Sequence, residues 1–196
     1  MSSEHPIGRR PGDPEVTRAA VLDAARSMFA EHGFEKATIR AIAAEASVDP
    51  ALVLHYFGSK DKLFVSAHQL PFSPEDVESA IFDSDLDGLG ERIARFYLSA
   101  LAVPGSPAVS LLRATATHEE AAEMLRTFID LTLMGPGLET VPGPDRRFRM
   151  SLVASHLLGV LFGRLILGIP ELAESDLEDI IRPLATTFQR YLTDQI

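Results

Sequence analysis

Apolar residues recur at three- and four-residue spacing along almost the whole chain, and alternating apolar–polar runs are scarce. That period keeps successive apolar side chains on one face of a helix, so the sequence predicts an all-α protein. The helices are punctuated by local signals. Asp13-Pro14 and Asp49-Pro50 each set a side-chain acceptor at the N-cap before a proline that suits the first helical position. A first helix is expected from Pro14, burying Val16, Ala20, Leu22, Ala24, Ala25 and Phe29 and stopping near His32-Gly33. A second starts at Thr38 with Ile39, Ile42, Ala43 and Ala46 as its stripe, and a third runs from Pro50 through Phe57. Gly58 ends the third, and Ser59 caps a fourth from Lys60 to about Gln69. Later helices are expected over 74–82, 86–103, 107–117, 119–138, 145–168 and 176–193, with Pro- and Gly-rich breaks between them.

Charge divides the chain in the same place. Residues 1–64 carry eight Lys/Arg against nine Asp/Glu, whereas the rest carries ten Arg against nineteen acids. All the lysines (36, 60 and 62) lie in the first third, so a chain of net charge -10 still has a region able to hold an anion. A boundary near residue 70 follows. The expected organisation is an arm over 1–12, a compact helical unit over 13–70 and an acidic helical bundle over 71–196.

Cysteine is absent, which excludes a disulfide framework, Cys-ligated zinc and thiol catalysis. There is no Glu-x-x-His pair for a di-metal bundle and no Gly-rich phosphate loop, so neither an enzyme nor a cofactor is expected. His118 with Glu119-Glu120 makes a poor ligand set, because adjacent residues on a helix point apart, and no metal is expected there. The N-terminus is polar and lacks the apolar core of a signal peptide. The most apolar segment, Leu152 to Ile169, contains His156 and Arg164, both expensive at a bilayer centre. It reads as a buried helix, and the protein as cytoplasmic with no membrane partner.

Two short helices joined by about four residues suit a helix-turn-helix, whose second helix enters the DNA major groove. Ala43, Ala44 and Ala46 let the helices approach, and Ile42, Val48, Val53 and Phe57 fill the core. Pro50, Ala51, Leu54 and His55 then face outward, with Leu52 and Tyr56 at the margins. The spacing alone fits a DNA-binding unit and a purely structural hairpin equally.

The segments VLDAAR (21–26), FAEHGFEKATIRAIAAEASV (29–48) and HYFGSKDKLF (55–64) resemble, in order and spacing, the DNA-binding domain of the TetR (tetracycline-repressor-like) transcriptional regulators. LPF (70–72) and ATHEEAAEMLR (116–126) resemble a C-terminal subgroup of actinobacterial type. The resemblance implies a three-helix helix-turn-helix domain, then a C-terminal helical bundle that binds a small ligand and dimerises. It implies a homodimer on a palindromic DNA operator, most often a repressor released by its effector. It assigns Thr38 and Arg40 to the DNA backbone, His55 and Tyr56 to phosphates and base edges, and Lys60 to a phosphate clamp at the fourth helix's start. Arg9 and Arg10 match an arm that some relatives insert into the minor groove. Many relatives carry Ser-Lys-Gly at 49–51 and Tyr at 54, whereas this chain has Asp-Pro-Ala and Leu54. Leu52 and Leu54 make no hydrogen bonds to bases but can pack on a thymine methyl, which shifts specificity toward DNA shape.

In the bundle, Phe96, Leu112, Thr115, Phe128, His156, Phe162 and Arg164 are candidates for a mostly hydrophobic effector pocket with a few polar anchors. His156 and Arg164 fit equally well as satisfied core or interface groups. Ser155, Gly159 and Gly163 form a smooth ridge at four-residue spacing, suited to close packing against another helix. With Ile181, Leu184, Phe188 and Tyr191 of the last helix they are candidates for a two-fold dimer interface. Two rival readings are a helical-bundle enzyme or cofactor carrier, and an architectural DNA-binding protein without ligand sensing.

Overall fold

Helix α1 (Pro14–Lys36) opens at the expected proline with Glu15 in its first turn, where a negative charge suits the helix dipole. The computed structural model describes residues 14–83, 85–135 and 137–193, so the arm with Arg9 and Arg10 lies outside the described residues. Val21, Ala24, Ala25 and Phe29 form the buried face of α1. Val16 and Ala20, expected on that face, are exposed, Val16 by 65%. At 100° per residue both fall away from the Val21–Phe29 stripe, and one helix face cannot hold all six. The break expected at Gly33 is present (φ 73°, ψ 166°), but the helix resumes for one more turn.

Three short helices follow: α2 (Ile39–Glu45), α3 (Pro50–Phe57) and α4 (Lys60–Ala67). Each start has the cap its sequence promised. Thr38 Oγ1 accepts from Ala41 N (3.1 Å), Asp49 Oδ1 from Ala51 N (2.7 Å) and Ser59 Oγ from Lys62 N (3.1 Å). Ile42, Ala43, Val53, Phe57, Leu63 and Phe64 close the core with α1. The described chain divides into two compact units between Ala67 and His68.

All regular structure among the second unit's described residues is helical. It comprises α5 (Pro74–Val77), α6 (Leu89–Leu101), α7 (Pro107–Ala114), α8 (Glu119–Thr132), α9 (Arg146–Phe162), α10 (Pro170–Ala173) and α11 (Leu177–Thr193). Wider π-helical turns extend α5 over Glu78–Phe82 and α9 over Gly163–Leu167, and Leu138–Thr140 forms a 3-10 turn. The expected helices over 86–103, 107–117 and 119–138 are each shorter than their periodicity suggested. Ile169-Pro170, expected only as a break, starts α10: the proline that stops one helix occupies the first turn of the next.

Helix α11 lies along α6 at backbone contact. A Cβ at Gly90 would stand 2.4 Å from Ala185 O and Gln189 N, so only glycine permits this approach. Gln189 ties the helices together, accepting from Gly90 N (2.9 Å) and donating to Leu86 O (2.9 Å). Arg95 bridges Glu91 and Glu178 at the rim and, by its hydrogen bond, holds the Glu178 carboxyl below the usual range. The trio is exposed, so packing and the Gln189 bonds, not these ions, hold the pair. Ile181, Leu184 and Phe188, expected at a dimer interface, are instead buried inside the unit. They form the face by which α11 meets its own neighbours.

Candidate nucleic-acid interface

The turn between α2 and α3 is set by backbone geometry. Ser47 adopts φ 55°, a left-handed conformation rare outside glycine, and Val48 N donates back to Ala43 O (2.9 Å). Val53 and Phe57 then point into the core, which fixes what α3 shows to solvent. Ala51, Leu54 and His55 are exposed, Leu54 by 46%, while Pro50, Leu52 and Tyr56 are half-buried at the margins. Gly58 ends α3 at φ 78°, with its N–H donating to Leu54 O (2.8 Å). Only a residue tolerant of that conformation turns the chain quickly enough for Ser59 to cap α4 one residue later.

Thr38 heads α2 with its hydroxyl oxygen used as the cap, which leaves its O–H free to donate to an anion. Arg40 is exposed two residues on. The His55 and Tyr56 rings lie 5.8 Å apart at 49°. Lys60 is half-buried; its Nζ sits 4.3 Å from the centre of the Phe34 ring and donates to Glu35 O at 3.3 Å. A further cation stands by α3. The exposed Arg18 guanidinium lies 5.2 Å from the centre of the Phe57 ring. Sequence reasoning missed it because Arg18 is distant in the chain and belongs to no local motif.

The second unit contains two apolar cavities that share Leu101, Leu125, Phe128, Leu158 and Leu161. They hold about 390 and 330 Å³ of empty space, open mouths included. The first is lined only by Leu, Ala, Val and Phe, and the second adds Tyr97, Ile129 and Thr132. Both hydroxyl protons there are committed: Tyr97 Oη donates to Thr132 O (3.0 Å) and Thr132 Oγ1 to Phe128 O (2.7 Å).

Of the expected pocket residues, Leu112 and Phe128 line this space. Phe96 instead packs against Phe72 and Tyr97, with ring centres 4.8 and 5.5 Å away. Thr115 spends its hydroxyl on Leu112 O (2.8 Å). The expected polar anchors do not line either cavity. His156 holds Leu152 O at 3.1 Å through Nδ1 and meets the rings of Phe188 and Tyr191. Arg164 donates to the carbonyls of Leu172 and Ser175, which satisfies its charge at the end of α10. Phe162 is half-buried on α9 and does not line the cavities.

One side of α9 is uncovered. Ser155 and Gly159 are exposed, a Cβ on Gly159 would meet nothing within 4 Å, and Phe148 is 62% exposed. Gly163, expected to continue this ridge, is buried; its Cβ would meet Leu172 at 2.9 Å, so its smallness serves the α10 turn. Tyr191 of α11 is half-buried. Arg146–Leu167 is the one helix among the described residues long and apolar enough to cross a membrane, yet only 33% of its most apolar window is buried. No group of three His, Cys, Asp or Glu able to hold a metal ion occurs among the described residues.

Comparison with known proteins matches two stretches of the chain to family models. Residues 21–67 match the family model of bacterial regulatory proteins of the tetR family, and residues 87–192 that of the tetracyclin repressor-like C-terminal domain. The chain is 26% identical over 182 residues to the HTH-type transcriptional repressor SCO4008 of Streptomyces coelicolor, covering 88% of this chain and 95% of that one. It is 41% identical over 56 residues to the repressor AcnR of Corynebacterium efficiens, covering 28% and 30% of the two chains. Among solved structures, the TetR-family regulator SCO0857 of Streptomyces coelicolor is 34% identical, with 95% and 99% covered and a TM-score of 0.46. With both halves matched, the chain belongs to the TetR family of DNA-binding transcriptional regulators.

Proposed function

We propose that the protein is a repressor that binds a palindromic operator as a homodimer and releases it when a small uncharged hydrophobic molecule enters the second unit. The observation that carries the reading is α3: capped at both ends and held by Val53 and Phe57, it presents Ala51, Leu54 and His55 outward as one surface. Thr38, Arg40 and Lys60 supply phosphate contacts around it, with Arg18 beside them. Tyr56 and His55 meet phosphates and base edges at the end of α3. The relatives SCO4008 and AcnR are both named as repressors. DNA as partner puts the protein in the cytoplasm.

The effector's class follows from the cavity lining. An ionised group buried among these side chains would lack a partner, since Arg164 and His156 are engaged elsewhere. Effector binding and DNA binding are then linked, each weakening the other by the same factor. The uncovered side of α9, with Phe148, Ser155 and Gly159, and with Tyr191 of α11, is the surface for a second copy.

Selection from random-sequence duplexes followed by footprinting tests the reading. The expected product is an inverted repeat without strict G·C demands opposite α3, because Leu52 and Leu54 read thymine methyls and shape. Uniform coverage would make the protein architectural, and no binding would remove it from DNA altogether. A long site with sharp G·C demands would overturn the shape component.

A further inference from the structure

Lys60 does not extend freely into solvent, and what holds it has a cause in the fold. At Gly33 the chain takes φ 73°, ψ 166°, which breaks α1 and swings Phe34 back onto the unit. The Phe34 ring stacks on Phe29 (5.7 Å, 21°) and meets Phe64 edge-on (5.3 Å, 83°). Phe64 lies four residues after Lys60 on α4, so the two project from one face of that helix. The Lys60 ammonium therefore arrives over a ring that two other rings have already fixed, 4.3 Å from its centre. The ring's negative face attracts the cation. One of three N–H donors goes to Glu35 O at 3.3 Å, near the end of α1.

We propose that Phe34 is a positioning residue for DNA binding: its ring holds the Lys60 ammonium in place for a phosphate, which replaces the Glu35 carbonyl. The inference rests on the reading of Lys60 as a phosphate contact. A free lysine loses much rotamer freedom on binding, whereas one already held by a ring loses less. Phe34 thus raises affinity without touching DNA.

A double-mutant cycle on the duplex recovered by the selection separates the two claims. K60A is expected to weaken binding and flatten the salt slope by about 1.8, one phosphate for each of the two copies on the operator. F34L is expected to weaken binding about three- to tenfold for each of the two copies, the factor for re-ordering one long side chain, with the slope kept. F34Y retains the ring face and restores affinity. In the K60A background F34L is expected to add nothing. If the two losses instead multiply, Phe34 acts through the fold alone and the positioning role is overturned. If K60A leaves affinity and slope unchanged, the reading of Lys60 itself falls. The wild-type chain offers a test that needs no substitution. The Lys60 ε-methylene protons are expected upfield in the NMR spectrum through the Phe34 ring current, and a random-coil shift would overturn the hold.

Discussion

Tyr97 shows how one side chain couples stability to pH. It is only 2% exposed, and burial pushes its phenol above the ordinary range. The unfolded chain releases this proton near pH 10 while the folded chain keeps it. The contribution is therefore complete below about pH 10 and falls by about 1.4 kcal/mol per pH unit above it. Y97F is expected to be about 1 kcal/mol less stable at pH 8, where it leaves the Thr132 carbonyl unpaired. By pH 11 that deficit should shrink or reverse. Denaturant midpoints at the two pH values measure this, and a constant difference would show that the phenol does not govern the alkaline decline. The local signals of Thr38, Asp49 and Ser59 were legible because an N-cap needs only neighbours within three residues. Arg164 was not, because its carbonyl partners lie eight and eleven residues away, beyond a turn and a short helix that periodicity does not show.

At the scale of elements, α6, α7, α8 and α9 enclose aliphatic space whose character the sequence predicted better than its membership. Phe128 and Leu112 were legible as inward positions. His156 and Arg164 fit pocket anchors and satisfied core or interface groups equally in the sequence, because a polar group in an apolar helix needs a partner that sequence alone does not name. The structure gives both to backbone carbonyls and leaves the cavities uncharged. Thermal denaturation with ligands of one chain length separates the cases. 1-Decanol is expected to raise the melting temperature, because a ligand bound only by the folded chain stabilises it. Decanoate and decylammonium are expected to leave it unchanged, and an equal rise with either would place an ionic anchor in the pocket. Val16 marks the limit of periodicity in the other direction: it is apolar and in register with Ala20, yet on the solvent side of α1.

For the whole molecule, the proposed assembly rests on α9. Its inner side was legible as core, and its outer side, with Ser155 and Gly159, as a smooth ridge. The split of that ridge at Gly163 was not, because the π-helical turn and α10 that cover Gly163 leave no periodic trace. A side chain at Gly159 meets nothing within the chain, so G159R is expected to fold with an unchanged melting temperature. Buried at a two-fold axis, however, two such arginines would face each other unpaired. Sedimentation velocity is expected to show twice the chain mass for the wild type and a single chain mass for G159R, with operator affinity lost in the variant. A wild type that sediments as a single chain would remove the dimer.

The cavities also have a volumetric consequence. Space lined by leucine and phenylalanine holds water poorly, so the enclosed part of it is void volume that unfolding eliminates. Hydrostatic pressure favours the smaller total volume and thus works against the cavity-bearing unit. A bound hydrocarbon fills that space. The effector would then act as mechanical ballast as well as a signal, making the unit that senses it harder to compress.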